Sequence, residues 1–283
     1  MKSKARIRSL ESALYIVATP IGNLGDITHR AIETLAGVDL VAAEDTRHTK
    51  KLLSHLGLTK DMQSLHDHNE RDKASYLLDL VAAGGSVALV SDAGTPLISD
   101  PGYVLVAQAR QRELKVVPVP GACALIAALS ASGLACDRFS FEGFLPVKSK
   151  AKRDALEILK SEPRTCVYYE STHRIVDTLK VVAELLPKRQ ITIARELTKT
   201  FETFLSGPSE DVLGLVASDA NQQKGEFVLI VEGWRQEVTN EIGEEPARLL
   251  NALSRELPPK KAAMIVADHY GLNKKLLYQS LIE

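Results

Sequence analysis

Short β-branched apolar runs alternate with stretches of helical spacing through the first half of the chain. Residues 13–18, 39–44, 62–65, 86–91 and 116–119 read as strands. Between them, 27–37, 46–56, 72–83 and 102–112 read as helices, with Gly37 closing the first and Gly57 as the C′ residue of the second. Continuous apolar strands in strict alternation with helices predict a parallel sheet covered on both faces. A small-residue helix over 122–129 ends near Gly133, and after Leu134 the texture changes. Residues 139–144 alternate as an antiparallel or edge strand does. Further strands at 165–169, 191–194, 202–205 and 227–231, with helices up to Leu186 and over 209–216, predict a second, mixed sheet. A polar linker, 233–245, leads to three short helices at 247–257, 260–270 and 273–282. The last two have the spacing of a helix-turn-helix. The expected division is therefore a basic arm (1–12), an N-terminal α/β domain (13–134), a second α/β domain (135–236) and a helical extension (237–283).

The strand at 86–91 runs into Ser91-Asp92-Ala-Gly94-Thr95-Pro96, then Asp100-Pro101-Gly102. Strand-to-helix connections usually take about 2–6 residues, and this one is longer and held rigid by its prolines. Its glycines let a ligand approach the backbone. Ligands of open α/β sheets sit outside the carboxyl ends of the strands, so the loop is expected to contact one. The turn at 19–26 is Gly-rich but matches neither G-x-G-x-x-G nor a Lys-bearing P-loop. For it, ligand contact and tight packing both stay open.

Composition narrows the classes. In 283 residues the formal net charge is −1, so any nucleic-acid contact must be local. Cys123, Cys136 and Cys166 are odd in number and lack C-x-x-C spacing, which fits reduced thiols in a cytoplasmic protein. The basic start (Lys2, Lys4, Arg6, Arg8) is followed by no apolar signal-peptide core, and no apolar run approaches a membrane span. His66-Asp67-His68 invites a metal reading, but too few further ligands converge on it, and no metal is expected. Lys148, Lys150, Lys152 and Arg153 fall on an expected loop entering a helix. They read as RNA contacts or as a solubilising surface.

Three segments together carry a family resemblance: Leu14-Tyr-Ile-Val-Ala-Thr-Pro-Ile-Gly-Asn-Leu-Gly-Asp26, the 91–102 loop and Val119-Pro-Gly-Ala122. They resemble the tetrapyrrole methylase family of S-adenosylmethionine-dependent enzymes. Ala43-Glu-Asp-Thr-Arg47, Phe141-Glu-Gly-Phe-Leu-Pro146, Tyr169-Glu-Ser-Thr-His-Arg174 and Arg195-Glu-Leu-Thr-Lys199 are similar to its branch that acts on small-subunit ribosomal RNA. The resemblance implies two α/β domains holding the methyl donor between them, and a homodimer. It also implies 2′-O-methylation of a decoding-region cytidine in 16S RNA, with the small ribosomal subunit as partner. Carried over by position, donor contacts fall on Leu24, Ser91, Asp92, Thr95, Cys123, Ala124, Tyr169 and Leu197. The loop departs from the family's usual Gly-Gly-Asp-Pro, having Val90-Ser91-Asp92-Ala93 instead.

A ribose hydroxyl is a poor nucleophile and calls for a positioned base. Glu196, Asp100 and Glu170 are the foremost candidates, ahead of Asp45 and His173, and each has an alternative as a salt-bridge partner of Arg195 or Arg174. Two rival functions stand beside this one: a methyltransferase acting on a porphyrin precursor, and a non-catalytic RNA-binding assembly factor.

Overall fold

A computed structural model describes residues 10–66, 69–235 and 242–282. Most of the basic arm, with Asp67 and His68 of the H-x-H segment, lies outside the described residues. Contacts divide the chain into two compact units, one ending at Gly233 and one beginning at Trp234.

The first unit opens with a parallel sheet in the order β3-β2-β4-β1-β5. Its strands are β1 (Ala13–Val17), β2 (Leu40–Ala43), β3 (Met62–Ser64), β4 (Ser86–Val90) and β5 (Val116–Val119). Period-two alternation splits β1 between two cores. Ala13, Tyr15 and Val17 pack with Leu35 of α1 (His29–Gly37) and Leu53 of α2 (Thr46–His55). Leu14 packs on the other face with Leu77 of α3 (Glu70–Ala82) and Leu105 of α4 (Tyr103–Gln111). The starts of α1 and α2 are capped by side chains. Thr28 accepts the Ala31 amide at 3.2 Å and Asp45 the Arg47 amide at 2.8 Å, each cap contributing about 1 kcal/mol.

The second sheet has the order β6-β7-β10-β8-β9, built from β6 (Phe139–Phe144), β7 (Thr165–Ser171), β8 (Gln190–Arg195), β9 (Thr203–Pro208) and β10 (Glu226–Val231). Edge strand β6 runs parallel to β7, and the other pairs are antiparallel. The α5 helix (Ala124–Ala131) leaves the first sheet after β5 but buries Leu125, Ala128 and Leu129 against Val167, Ala194, Val228 and Ile230 of the second. On the far face lie α6 (Ser149–Glu157), α7 (Ile175–Leu185) and α8 (Ser209–Ser218), around Leu156, Leu179, Val212 and Leu229. Because α6 already begins at Ser149, Lys150, Lys152 and Arg153 lie on a helix. That corrects the expected loop, in which only Lys148 remains.

In the second unit, α9 (Glu244–Ser254), α10 (Pro259–Tyr270) and α11 (Lys274–Gln279) enclose their own core of Leu250, Ala262, Ala263, Val266 and Leu277. Pro259 starts α10, and Gly271, at φ 66°, ends it in the left-handed conformation that lacks a side-chain penalty only for glycine. Among the described residues no helix is long and apolar enough to cross a membrane.

Candidate active site

The carboxyl end of β4 meets the second sheet at a cavity of about 470 Å³, a size typical of small-molecule sites. One wall is the 93–100 loop. The Thr19 and Gly94 backbones exchange hydrogen bonds, at 2.8 and 3.0 Å, which ties this loop to the turn after β1. Gly94 has φ +82°, and a Cβ there would meet Ile21 Cγ2 at 3.2 Å. Leu97 (φ 74°) and Ser99 (φ 66°) also hold left-handed conformations. Non-glycine residues adopt these at a cost of order 1–3 kcal/mol, and such outliers cluster at functional sites. Thr95 Oγ1 donates to the Ala122 carbonyl at 2.9 Å, fastening the loop to the start of α5.

The opposite wall is the end of β7 and the start of β10. Tyr169 projects from β7 toward α5, and its phenol oxygen accepts the Leu125 amide at 3.2 Å. One otherwise unpartnered helix-end donor is thereby satisfied. Burial pushes the phenol pKa up, so the hydroxyl stays neutral. Phe141 and Phe144 flank the ring edge-on, with centroids at 4.9 and 5.7 Å. Two residues three apart share one face of a strand because the β6–β7 register shifts between Phe141 and Gly143. Gly225, at φ +107°, opens β10 beside Glu196. A Cβ there would fall 2.5 Å from the Glu196 side chain.

Of the residues expected to contact a donor, Thr95, Cys123, Ala124, Tyr169 and Leu197 line this cavity. Leu24, Ser91 and Asp92 are not among its lining residues. Leu24 is exposed in a short 3₁₀ turn, and Ser91 is buried below the loop. The Asp92 carboxylate accepts the Asp45 amide at 3.1 Å.

The three expected bases separate. Asp100 lines the cavity. Glu196, at φ 50°, is bound by Lys199 Nζ at 2.9 Å and by the Glu226 amide at 3.0 Å. Burial pushes its carboxyl up, but the ammonium and the amide outweigh that and hold it below the usual range. Glu170 is also among the residues lining the cavity, but it follows Tyr169 in β7, so its side chain points to the opposite face of the strand. There it accepts from Thr178 Oγ1 at 2.7 Å and pairs with Arg174 at 3.3 Å, with no exposed side-chain surface. Arg174 is thus the partner anticipated for a carboxylate. Arg195 instead donates to the carbonyls of Lys224 and Phe201.

Asp45 caps α2 and pairs with Arg47, whereas exposed His173 lines the cavity. Ile98 falls in the loop expected to meet a ligand and Ile21 in the turn left open between contact and packing, whereas Phe144 and the 225–228 segment were not expected to line the cavity. For the last, the cue was Gly225 immediately before an apolar strand.

The basic segment divides too. Lys148 and Lys150 are exposed, and Arg153 pairs with Glu184 at the surface. Lys152 is buried and donates to Thr178 Oγ1 at 3.0 Å. Its side chain is therefore not at the surface, which corrects its expected role as an RNA contact. In the second unit, Lys260, Asn273, Lys274, Lys275 and Tyr278 line an open groove. Among the described residues, no group of three or more His, Cys, Asp or Glu is placed to hold a metal ion.

Residues 13–213 match the family model of tetrapyrrole (corrin/porphyrin) methylases, and residues 240–283 match that of the RsmI C-terminal HTH domain. Proteins named ribosomal RNA small subunit methyltransferase I are similar over almost the whole chain. The one from Vibrio cholerae is 55% identical, over 94% of this chain and 93% of its own. That from Haemophilus influenzae is 55% identical (95% and 96%), and that from Escherichia coli O157:H7 is 52% identical (100% and 99%). Among solved structures, uroporphyrin-III-C-methyltransferase from Thermus thermophilus superposes with a TM-score of 0.54 at 20% identity, over 78% of this chain and 94% of that one. Diphthine synthase gives 0.58 at 16% identity, over 78% and 90%. At such identities the likeness is one of fold.

Proposed function

This chain belongs to the tetrapyrrole (corrin/porphyrin) methylase family, and from that premise we propose that it is an S-adenosylmethionine-dependent methyltransferase of small-subunit (16S) ribosomal RNA. The acceptor is the 2′-hydroxyl of a decoding-region cytidine, and the enzyme works as a homodimer in the cytoplasm. The observation that carries this reading is identity of 52–55% with rRNA small subunit methyltransferases I through both units, the C-terminal helices included. The sequence division at 134/135 and 236/237 is kept with it.

The cavity suits the donor. Ile21, Ile98 and Leu197 offer apolar surface for a base, and the loop backbone around Gly94 offers close polar contact. The Tyr169 and Phe144 rings suit a cation, since aromatic faces attract positive charge. When bound, the donor supplies a methyl group already activated by its sulfonium. The protein's own task is to hold an acceptor hydroxyl in line, and orientation of this kind supplies about 7–11 kcal/mol in favourable cases.

We assign Asp100, on the cavity wall, as the group whose carboxylate takes the hydroxyl proton. Glu196 and Glu170 hold neighbouring segments in place. Lys148, Lys150 and the groove of Lys260, Lys274 and Lys275 contact RNA phosphates, with Tyr278 beside them as a stacking surface. Incubation with labelled donor and naked RNA, small subunits or a porphyrin precursor tests the reading. Label on one cytidine ribose is expected. Transfer to a porphyrin alone refutes it, and RNA binding without transfer supports a non-catalytic factor.

A further inference from the structure

On the face of β7 opposite the Tyr169 side chain lies a buried charged chain that the chemistry above does not use. Lys152 of α6 donates to Thr178 Oγ1 at 3.0 Å, and Thr178 Oγ1 donates to Glu170 Oε2 at 2.7 Å. The other carboxylate oxygen of Glu170 takes the Ser171 amide at 2.9 Å and the Arg174 guanidinium at 3.3 Å. Arg174 Nη2 then donates to the carbonyls of Leu145 and Pro146. Lys152, Thr178 and Glu170 are all buried. Such a chain is weak evidence for stability, since apolar residues of similar volume often serve as well or better. Its position says more.

Residues 169–173 line the cavity, and Arg174 follows them directly. The two carbonyls that Arg174 holds come directly after Phe144, whose ring stands at the cavity mouth against Tyr169. The segment from Phe144 to α6 is thus fastened twice, at 145–146 by Arg174 and at Lys152 through Thr178. Between the two fastenings stand Val147, 81% exposed, and Lys148, also exposed. An entrance held in this way presents its apolar and cationic groups without an ordering cost when the substrate arrives.

We propose that Arg174, backed by Glu170, Thr178 and Lys152, is a positioning residue that fixes the 144–148 lip for the incoming RNA. The inference rests on the rRNA reading above. Its test compares wild-type full-length protein with R174Q, R174K and K152M, measuring donor affinity by calorimetry and methyl transfer to small subunits at varied subunit concentration. R174Q loses charge-assisted bonds to two carbonyls. Its KM for the subunit is expected to rise about tenfold, with kcat changed less than about twofold and donor affinity unmoved. R174K keeps the charge beside Glu170 without the fork and recovers part of the loss, and K152M shifts KM in the same direction.

A folded R174Q with wild-type KM overturns the inference, as does one whose loss lies in kcat and donor affinity. If R174Q does not fold, R174K carries the same test. Wild-type protein that methylates no RNA overturns the functional reading along with it. Normal wild-type transfer with an unmoved KM in the variants overturns only this inference.

Discussion

The carboxylate of Asp92 reaches back to the Asp45 amide, so it joins the loop after β4 to the start of α2. D92A is therefore expected to loosen the cavity floor from outside it and to lower donor affinity about tenfold, as loss of a charged hydrogen bond does. Calorimetry on the folded variant checks this, and undiminished affinity counts against the loop as donor site. Glu196 gives a pH signature. Its folded carboxyl titrates below the usual range, so it contributes stability above the unfolded value of about 4.5 and loses it as pH falls through the folded value. E196Q is expected to melt below wild type at pH 7 and to converge on it as pH falls below the folded value, in thermal melts from neutral to acid pH. Lys152 shows where residue types mislead. Four cations in six residues read as a surface, yet Lys152 stands four before Leu156 and seven before Leu159 on one buried face. A lysine in an apolar helical register was the available cue, and its partner Thr178, with Glu170 beyond it, is too far along the chain for spacing to reveal.

At the scale of elements, β1, β2 and β4 were legible from their apolar runs, as burial on both faces demands, whereas edge strand β3, Met-Gln-Ser, is half-buried and partly polar. The lip after β6 was harder to read. The register shift that brings Phe144 beside Tyr169 depends on how β6 pairs with β7, and alternation within one strand carries no record of its neighbour. The turn between α10 and α11 was visible in Gly271, but the groove beside it needs Lys260 and Lys274 to meet in space. If that groove holds RNA phosphates, K274Q/K275Q flattens the dependence of log affinity on log salt by about 1.5, close to 0.7–0.9 per lost contact. Fluorescence anisotropy of a labelled rRNA fragment at several salt concentrations measures it, and an unchanged slope removes the groove from the interface.

For the whole molecule, the units from 10 to 233 and from 234 onward each have a core of their own. A chain ended at Arg235 is expected to keep wild-type donor affinity and lose most of its affinity for small subunits. Calorimetry and subunit co-sedimentation read the two effects separately. The mixed second sheet was foreseen from strands following one another without helices between. That α5 would pack on it was not, because a run of alanines and leucines fits either sheet. The strand order of the first sheet also bears on how the protein is made. Leu14 in β1 pairs with Val87 on one side and Val116 on the other. As the chain leaves the ribosome, its earliest strand has no hydrogen-bonded neighbour until β4 emerges and no second one until β5. An oily, unpaired ribbon must therefore stay out of trouble through much of translation, and nascent chains stalled before residue 116 should be the ones that chaperones hold longest.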